Sequence, residues 1–198
     1  MRYLLAAILL LLLPAPGVAA SCQDYLVQAF DRLKTVPFRA DIVNEGEHGS
    51  KLIVVYTRQS AEAVRIEAKY RATVSQEDKV LDFVVAGTER WINEGDGWKV
   101  WDENGNIFSR FIANYENPLL PFSIKRLREV SCLGSFIRHG SWHSIFDLSK
   151  GSDNQHYVLY VNNVTGLPES WSIGGRFFSH KVTYHYEAIP AVNPALVK

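Results

Sequence analysis

Hydrophobic and polar positions alternate along much of the chain, with turn signals between the alternating segments. Between Val64 and Lys69 apolar residues alternate with charged ones, and a similar alternation returns between Val182 and Tyr186. A period of two predicts β-strands with one buried and one solvated face. Besides the segment described next, strands are predicted at residues 38–43, 51–58, 64–69, 135–139, 141–148, 156–161, 169–173 and 177–189.

Residues 81–103 predict an antiparallel meander of three short strands. Turns are indicated at Ala86-Gly87 and at residues 95–97, a Gly-Asp-Gly segment that tolerates the positive φ of tight hairpins. Three tryptophans, at positions 91, 98 and 101, lie in this one meander. Aromatic side chains suit pleated, half-buried surfaces, so we interpret the meander as sheet core, with a ligand-facing wall as the alternative.

Two helices are predicted among the strands. The first covers residues 23–33, because Ser21 can cap it, an apolar stripe recurs at helical spacing, and Pro37 ends it. The second starts near Pro121, with Phe122, Ile124, Leu127 and Val130 on one side. This second helix is either a packed connector or a movable cover over a cavity.

The order of these elements predicts an α+β fold that is mainly β. We expect a curved antiparallel sheet, an incomplete β-barrel, covered by the N-terminal helix and the short helical insertion. We see no linker and no repeat, so residues 21–198 are predicted to be a single domain.

Residues 1–20 are typical of a cleaved secretory signal peptide. Arg2 precedes an uncharged apolar run, residues 4–13, and Val18-Ala19-Ala20 fits a small-residue cleavage site. Removing them leaves 20 basic and 21 acidic residues, a net charge of −1. This nearly neutral charge argues against a nucleic-acid partner. The signal peptide predicts a location in the periplasm.

Two cysteines, Cys22 and Cys132, remain in the predicted mature chain. An even pair in an exported protein predicts a disulfide. The alternative is acylation of Cys22 as an outer-membrane lipoprotein. The preceding residues match a lipoprotein site poorly, and acylation would leave Cys132 unpaired.

No pattern in the sequence argues for catalysis. The six histidines are not joined by cysteines or carboxylates at zinc-like spacing, so neither a metal nor a cofactor is predicted. A remote alternative is a hydrolase using His143 with Asp147, which share one face of a predicted strand. We therefore expect a protein that is not an enzyme.

Two segments carry a resemblance to a known family. Residues 83–91, FVVAGTERW, resemble a strand, glycine turn and strand of the bacterial LolA/LolB-like periplasmic lipoprotein carriers. Residues 162–168, NNVTGLP, resemble a second pattern of that group, which leads to a Tyr-rich last strand. The resemblance implies an incomplete antiparallel barrel with an apolar interior for acyl chains, and it implies that Arg58 holds the cover closed. Gln59 stands where those carriers have a proline.

The leading hypothesis is a monomeric, non-enzymatic carrier that binds a lipid, an acylated protein or a similar apolar ligand. An envelope protein–protein interaction or sensor module without lipid cargo is the alternative, with an envelope protein as partner. Phe122 and Leu127 are predicted to form the cover. The predicted cavity wall consists of Phe83, Val85, Tyr157, Leu159, Val182 and Tyr184.

Overall fold

The computed structural model describes residues 21–102, 129–149, 156–175 and 178–192 of the protein. Within these ranges one α-helix, α1 (Cys22–Leu33), precedes eleven strands, and a 3-10 turn (Glu47–Gly49) joins the first two of them. The strands are β1 (Phe38–Glu45), β2 (Lys51–Ser60), β3 (Ala63–Arg71), β4 (Lys79–Ala86), β5 (Glu89–Asn93), β6 (Trp98–Val100), β7 (Glu129–Arg138), β8 (Ser141–Ser149), β9 (His156–Asn162), β10 (Leu167–Gly174) and β11 (Ser179–His185).

Ser21 caps helix α1, as predicted, and Asp24 completes a capping box with it. The Asp24 backbone N–H donates to Ser21 Oγ over 3.1 Å, and the Ser21 backbone N–H donates to the Asp24 carboxylate over 3.3 Å. These two bonds satisfy donors that the first helical turn leaves free. The buried stripe of the helix consists of Leu26, Ala29, Phe30 and Leu33.

The strands form one antiparallel sheet in the order β6-β5-β4-β3-β2-β1-β11-β10-β9-β8-β7. Within the described ranges its edge strands, β6 and β7, do not pair with each other, so the sheet is not closed. It is nevertheless strongly curved, because Ile92 of β5 and Phe146 of β8 belong to the same buried cluster as the apolar stripe of α1. The predicted fold class, an incomplete barrel covered by an N-terminal helix, is confirmed.

The two-residue period determines which side chains enter this core. On β3, Val64, Ile66 and Ala68 are buried. From the opposite face of the same strand, the Arg65 guanidinium donates to both carboxylate oxygens of Asp82, over 3.0 and 2.6 Å. The hydrogen bond with Asp82 raises the pKa of Arg65 above its usual value. The predicted division into an apolar inner face and a charged outer face is therefore confirmed.

The sequence prediction was wrong at the start of β7. The predicted helix was extended to Val130 and the following strand was expected only from residue 135, whereas the strand begins at Glu129. The pairing with β8 shifts between Cys132 and Gly134, and Gly134 has a φ of 126°. A β-bulge interrupts the two-residue alternation of apolar and polar positions. The sequence pattern therefore did not indicate a strand before residue 135. Residues 121–128, including Phe122 and Leu127, lie outside the described residues.

The end of the chain also differs from the prediction. The last strand, β11, ends at His185 rather than at residue 189. Val192, expected in a loose tail, is buried against Val84, and its backbone N–H donates to Gln59 Oε1 over 3.0 Å. Residues 1–20 are outside the described ranges, so the signal peptide stays a prediction. Across the described part of the chain, no helix has the length and apolar character needed to cross a membrane.

Candidate functional site

A cavity of about 1250 Å³ opens at one end of the curved sheet, where β1 and β3 end and where β2, β4 and β11 begin. We call it the rim cavity. Small-molecule pockets commonly have volumes of about 300–1,000 Å³, so the rim cavity is larger than most of them. Its described lining residues are Asn44, Glu45, Gly46, Ser50, Lys51, Leu52, Tyr70, Asp78, Lys79, Val80, Leu81, Glu94, Gly95, Phe178 and Ser179.

The apolar part of the rim cavity comes from inward-facing positions at the ends of the strands. Leu52 and Leu81 are buried members of the main core, and Tyr70 packs against that core. Phe178, just before β11, keeps 41% of its surface exposed. The rim cavity therefore extends from the apolar core to the surface, and the partly exposed Phe178 lies on its wall.

Charged residues surround the opening, and most of them are paired. Lys51 Nζ lies 2.7 Å from Glu45, and Lys99 Nζ lies 2.7 Å from Glu94. A hydrogen bond from Lys69, over 2.8 Å, lowers the pKa of Asp78.

Lys79 also lines the opening, and within the described ranges it has no ion-pair partner. Lys79 is therefore a cation at the mouth of the rim cavity with which no described carboxylate is paired.

Beneath the opening, two polar side chains close the apolar wall. His180 Nδ1 is hydrogen-bonded to Asn44 Oδ1, and the imidazole stacks on Trp171 with ring centroids 4.5 Å apart. Burial lowers the pKa of His180 to about 4. His180 is therefore neutral at physiological pH, and this part of the wall carries no charge.

The six predicted wall residues all lie inside the sheet, at a greater depth than the rim cavity. Phe83, Val85, Tyr157, Leu159, Val182 and Tyr184 are buried in the core cluster that includes α1. None of the six is among the described lining residues of the rim cavity. The alternation of apolar and polar positions correctly placed these six side chains on the inner face of the sheet. Their contact with a ligand stays a prediction.

Arg58, predicted to hold the cover closed, contacts the end of α1. Its Nη2 donates to the Lys34 backbone oxygen over 2.9 Å, and its Nε donates more weakly to the Ser60 oxygen over 3.4 Å. The helix that Arg58 contacts packs over the inside of the curved sheet. Its role in a moving cover stays a prediction.

The predicted disulfide is present and joins Cys22, the first residue of α1, to Cys132 on β7, with Cα atoms 5.7 Å apart. The helix is thereby linked to an edge strand of the sheet. A disulfide-bonded Cys22 has no thiol to acylate, so the structure favours the disulfide over the lipoprotein alternative.

The remote hydrolase interpretation finds no support in the geometry. His143 and Asp147 both lie on β8 and share a face, but four residues of strand separate their backbones by about 13 Å. Glu169 rather than Asp147 meets the buried His143, with Oε1 3.0 Å from Nε2. In the described part of the chain no three His, Cys, Asp or Glu side chains are grouped to hold a metal ion.

Comparison with known proteins gives matches to solved structures only, since no family model and no curated protein matches the chain. Lipoprotein LppX from Mycobacterium tuberculosis superposes with a TM-score of 0.55 at 12% identity, covering 88% of this chain and 100% of its own. LprF from Mycobacterium bovis gives 0.56 at 10% identity, covering 87% and 96%. At such identities the likeness concerns the fold alone. It shows that this chain shares its fold with these two proteins.

Proposed function

We propose that this protein is a non-enzymatic carrier of the bacterial envelope that holds the acyl chain of a lipid or lipoprotein in the rim cavity. The observation that carries this proposal is the cavity itself. It has about 1250 Å³ of space, Leu52, Leu81 and Phe178 on its walls, and a charged opening. An acyl chain with a polar head group matches this arrangement, because its hydrocarbon can lie against the apolar walls while its head group lies at the charged opening.

Apolar burial alone supplies affinity in such a site. Each buried methylene contributes about 0.8 kcal/mol, so ten of them contribute about 8 kcal/mol. Association costs about 4–15 kcal/mol, which this burial offsets wholly or in part. No catalytic group is needed for binding, in keeping with a protein that is not an enzyme.

Lys79 indicates the kind of head group. The other described charges at the opening are paired, so Lys79 is the cation available to a ligand. Lysine donates to phosphate and carboxylate oxygens as a point charge. The proposed cargo is therefore an amphiphile with an anionic head group.

Two observations support a location in the envelope. The disulfide between Cys22 and Cys132 is typical of oxidising compartments such as the periplasm. The fold is shared with LppX, which is described as a lipoprotein. Together with the predicted signal peptide, these observations support an exported protein.

Native mass spectrometry of the protein after incubation with bacterial lipid extract tests the proposal. We expect a retained adduct whose mass identifies an acylated, anionic lipid, and we expect delipidated protein to recover the same adduct. Failure to retain any lipid from the extract, with the disulfide intact, would overturn the proposal.

A protein partner remains the second candidate, because β7 is a ten-residue edge strand with exposed Leu133 and Ile137. An open strand edge can pair with a strand of another protein. A stable complex with an envelope protein that forms equally well with delipidated protein would favour this second function.

A further inference from the structure

A second groove, of about 480 Å³, lies on the outer face of the sheet, away from the buried core. It crosses β7, β9, β10 and β11. We call it the outer groove, and its described lining residues are Phe136, Arg138, Tyr160, Ser170, Trp171, Ser172 and Lys181. These side chains come from separate strands and meet because the strands lie side by side in the sheet, with β8 between β7 and β9.

One half of the outer groove is aromatic and electrically balanced. The rings of Phe136 and Tyr160 meet edge to face with centroids 5.8 Å apart, and Arg138 Cζ lies 5.7 Å from the Tyr160 centroid. Arg138 Nη1 is 3.7 Å from Glu169 Oε2, which offsets its charge. This half therefore offers an apolar corner between two steeply inclined rings, with no excess charge.

The other half carries hydrogen-bond donors and a free cation. Ser172 and Lys181 face each other across β10 and β11, and Ser170 faces Tyr160 across β10 and β9. Lys181 has no ion pair, and the two serine hydroxyls have no hydrogen bond, with any residue in the ranges that the structure describes. Lysine can only donate, and serine hydroxyls donate readily, so a ligand that fits this half accepts hydrogen bonds and carries negative charge.

We propose that the outer groove binds a small ligand in which an oxyanion stands next to a flat apolar or aromatic group. The oxyanion contacts Lys181, Ser172 and Ser170. The flat group packs into the corner that the rings of Phe136 and Tyr160 form. A groove of about 480 Å³ has the size of small-molecule sites. This inference does not depend on the lipid-carrier proposal, because the outer groove and the rim cavity share no described lining residue.

Titration of ¹⁵N-labelled protein with phenyl phosphate and with benzoate, followed by NMR, tests the inference. We expect saturable shifts of the backbone amides of Tyr160, Ser172 and Lys181, and no such shifts with benzyl alcohol, which lacks the anion. Lys181→Met should weaken binding at least tenfold, because a hydrogen bond to a charged group is lost. Ser172→Glu should abolish binding by adding a repelling charge.

The matched control is Lys99→Met, which removes a lysine at the far end of the sheet and should leave the affinity unchanged. Unchanged affinity in Lys181→Met would overturn the inference. Shifts centred on the rim cavity, equal binding of benzyl alcohol, or no saturable binding of either anion would overturn it as well.

Discussion

Arg58 Nη2 lies 2.9 Å from the backbone carbonyl oxygen of Lys34, so a side chain of β2 holds the C-terminal end of α1. The last carbonyls of a helix have no partner within the helix and attract cations. The disulfide of Cys22 holds the other end of the same helix. Helix α1 is thus fixed at both ends over the inside of an open sheet.

Replacing Arg58 should loosen one end of α1. We expect Arg58→Met to lower the free energy of unfolding by about 1–2 kcal/mol, because a charge-assisted hydrogen bond is lost at a partly exposed site. Hydrogen exchange across residues 22–33 should become faster. The matched control is Arg39→Met, which removes an exposed pair with Asp41 on β1 and should cost about 0.5 kcal/mol or less. Equal losses in the two variants, with unchanged exchange in α1, would contradict this role of Arg58.

Reduction of the disulfide should be costly. The bridge joins residues separated by 110 positions, and the loop-entropy model gives about 4–5 kcal/mol for a loop of this length. We expect urea unfolding with and without reductant to differ by an amount of this order, and Cys22→Ser/Cys132→Ser to match the reduced protein. A diacylglycerol mass on Cys22 of the native protein would refute the pairing.

Phe178 should be important for binding an acyl chain. It lines the rim cavity and is partly exposed, so we expect Phe178→Arg to fold and to weaken binding of a fluorescent fatty acid about tenfold or more. The matched control is Trp142→Arg, at an exposed residue with 54% of its surface accessible and outside the described lining of the rim cavity. If both variants bind as the wild type does, the acyl chain does not use this opening.

His180 should make stability depend on pH. Its pKa is lowered by burial to about 4 in the folded protein, from an ordinary value of 6.5. The unfolded chain therefore binds a proton at this site between those values while the folded protein does not, so the free energy of unfolding falls as pH falls through this window. The contribution is at most about 3 kcal/mol. We expect His180→Gln to remove this part of the slope in urea titrations between about pH 7 and about pH 4. An unchanged slope would show that His180 titrates normally.

Much of the fold was predictable from local patterns. The cap at Ser21 and the alternation around Ile66 predicted α1 and β3, because both signals depend only on neighbouring residues. The start of β7 was missed because the bulge at Gly134 changes the period. Such a bulge changes the alternation within the strand, so the apolar and polar pattern before residue 135 does not look like a strand.

The inner face of the sheet was predictable, but the position of the rim cavity was not. Alternation placed Phe83 and Val182 on the inner face of the sheet, where they are buried. It could not tell how deep each residue lies along its strand, because depth depends on the curvature of the whole sheet and on how much of the interior α1 fills. The sequence therefore did not identify three lining residues at strand ends, Leu52, Lys79 and Phe178.

The most direct test of an acyl site in the rim cavity is paramagnetic broadening by stearate that carries a nitroxide at its methyl end. We expect the amide signals of Leu52, Tyr70 and Leu81 to broaden, and unlabelled stearate to restore them. Broadening confined to the outer face or to the β7 edge, with those three signals unchanged, would contradict the account.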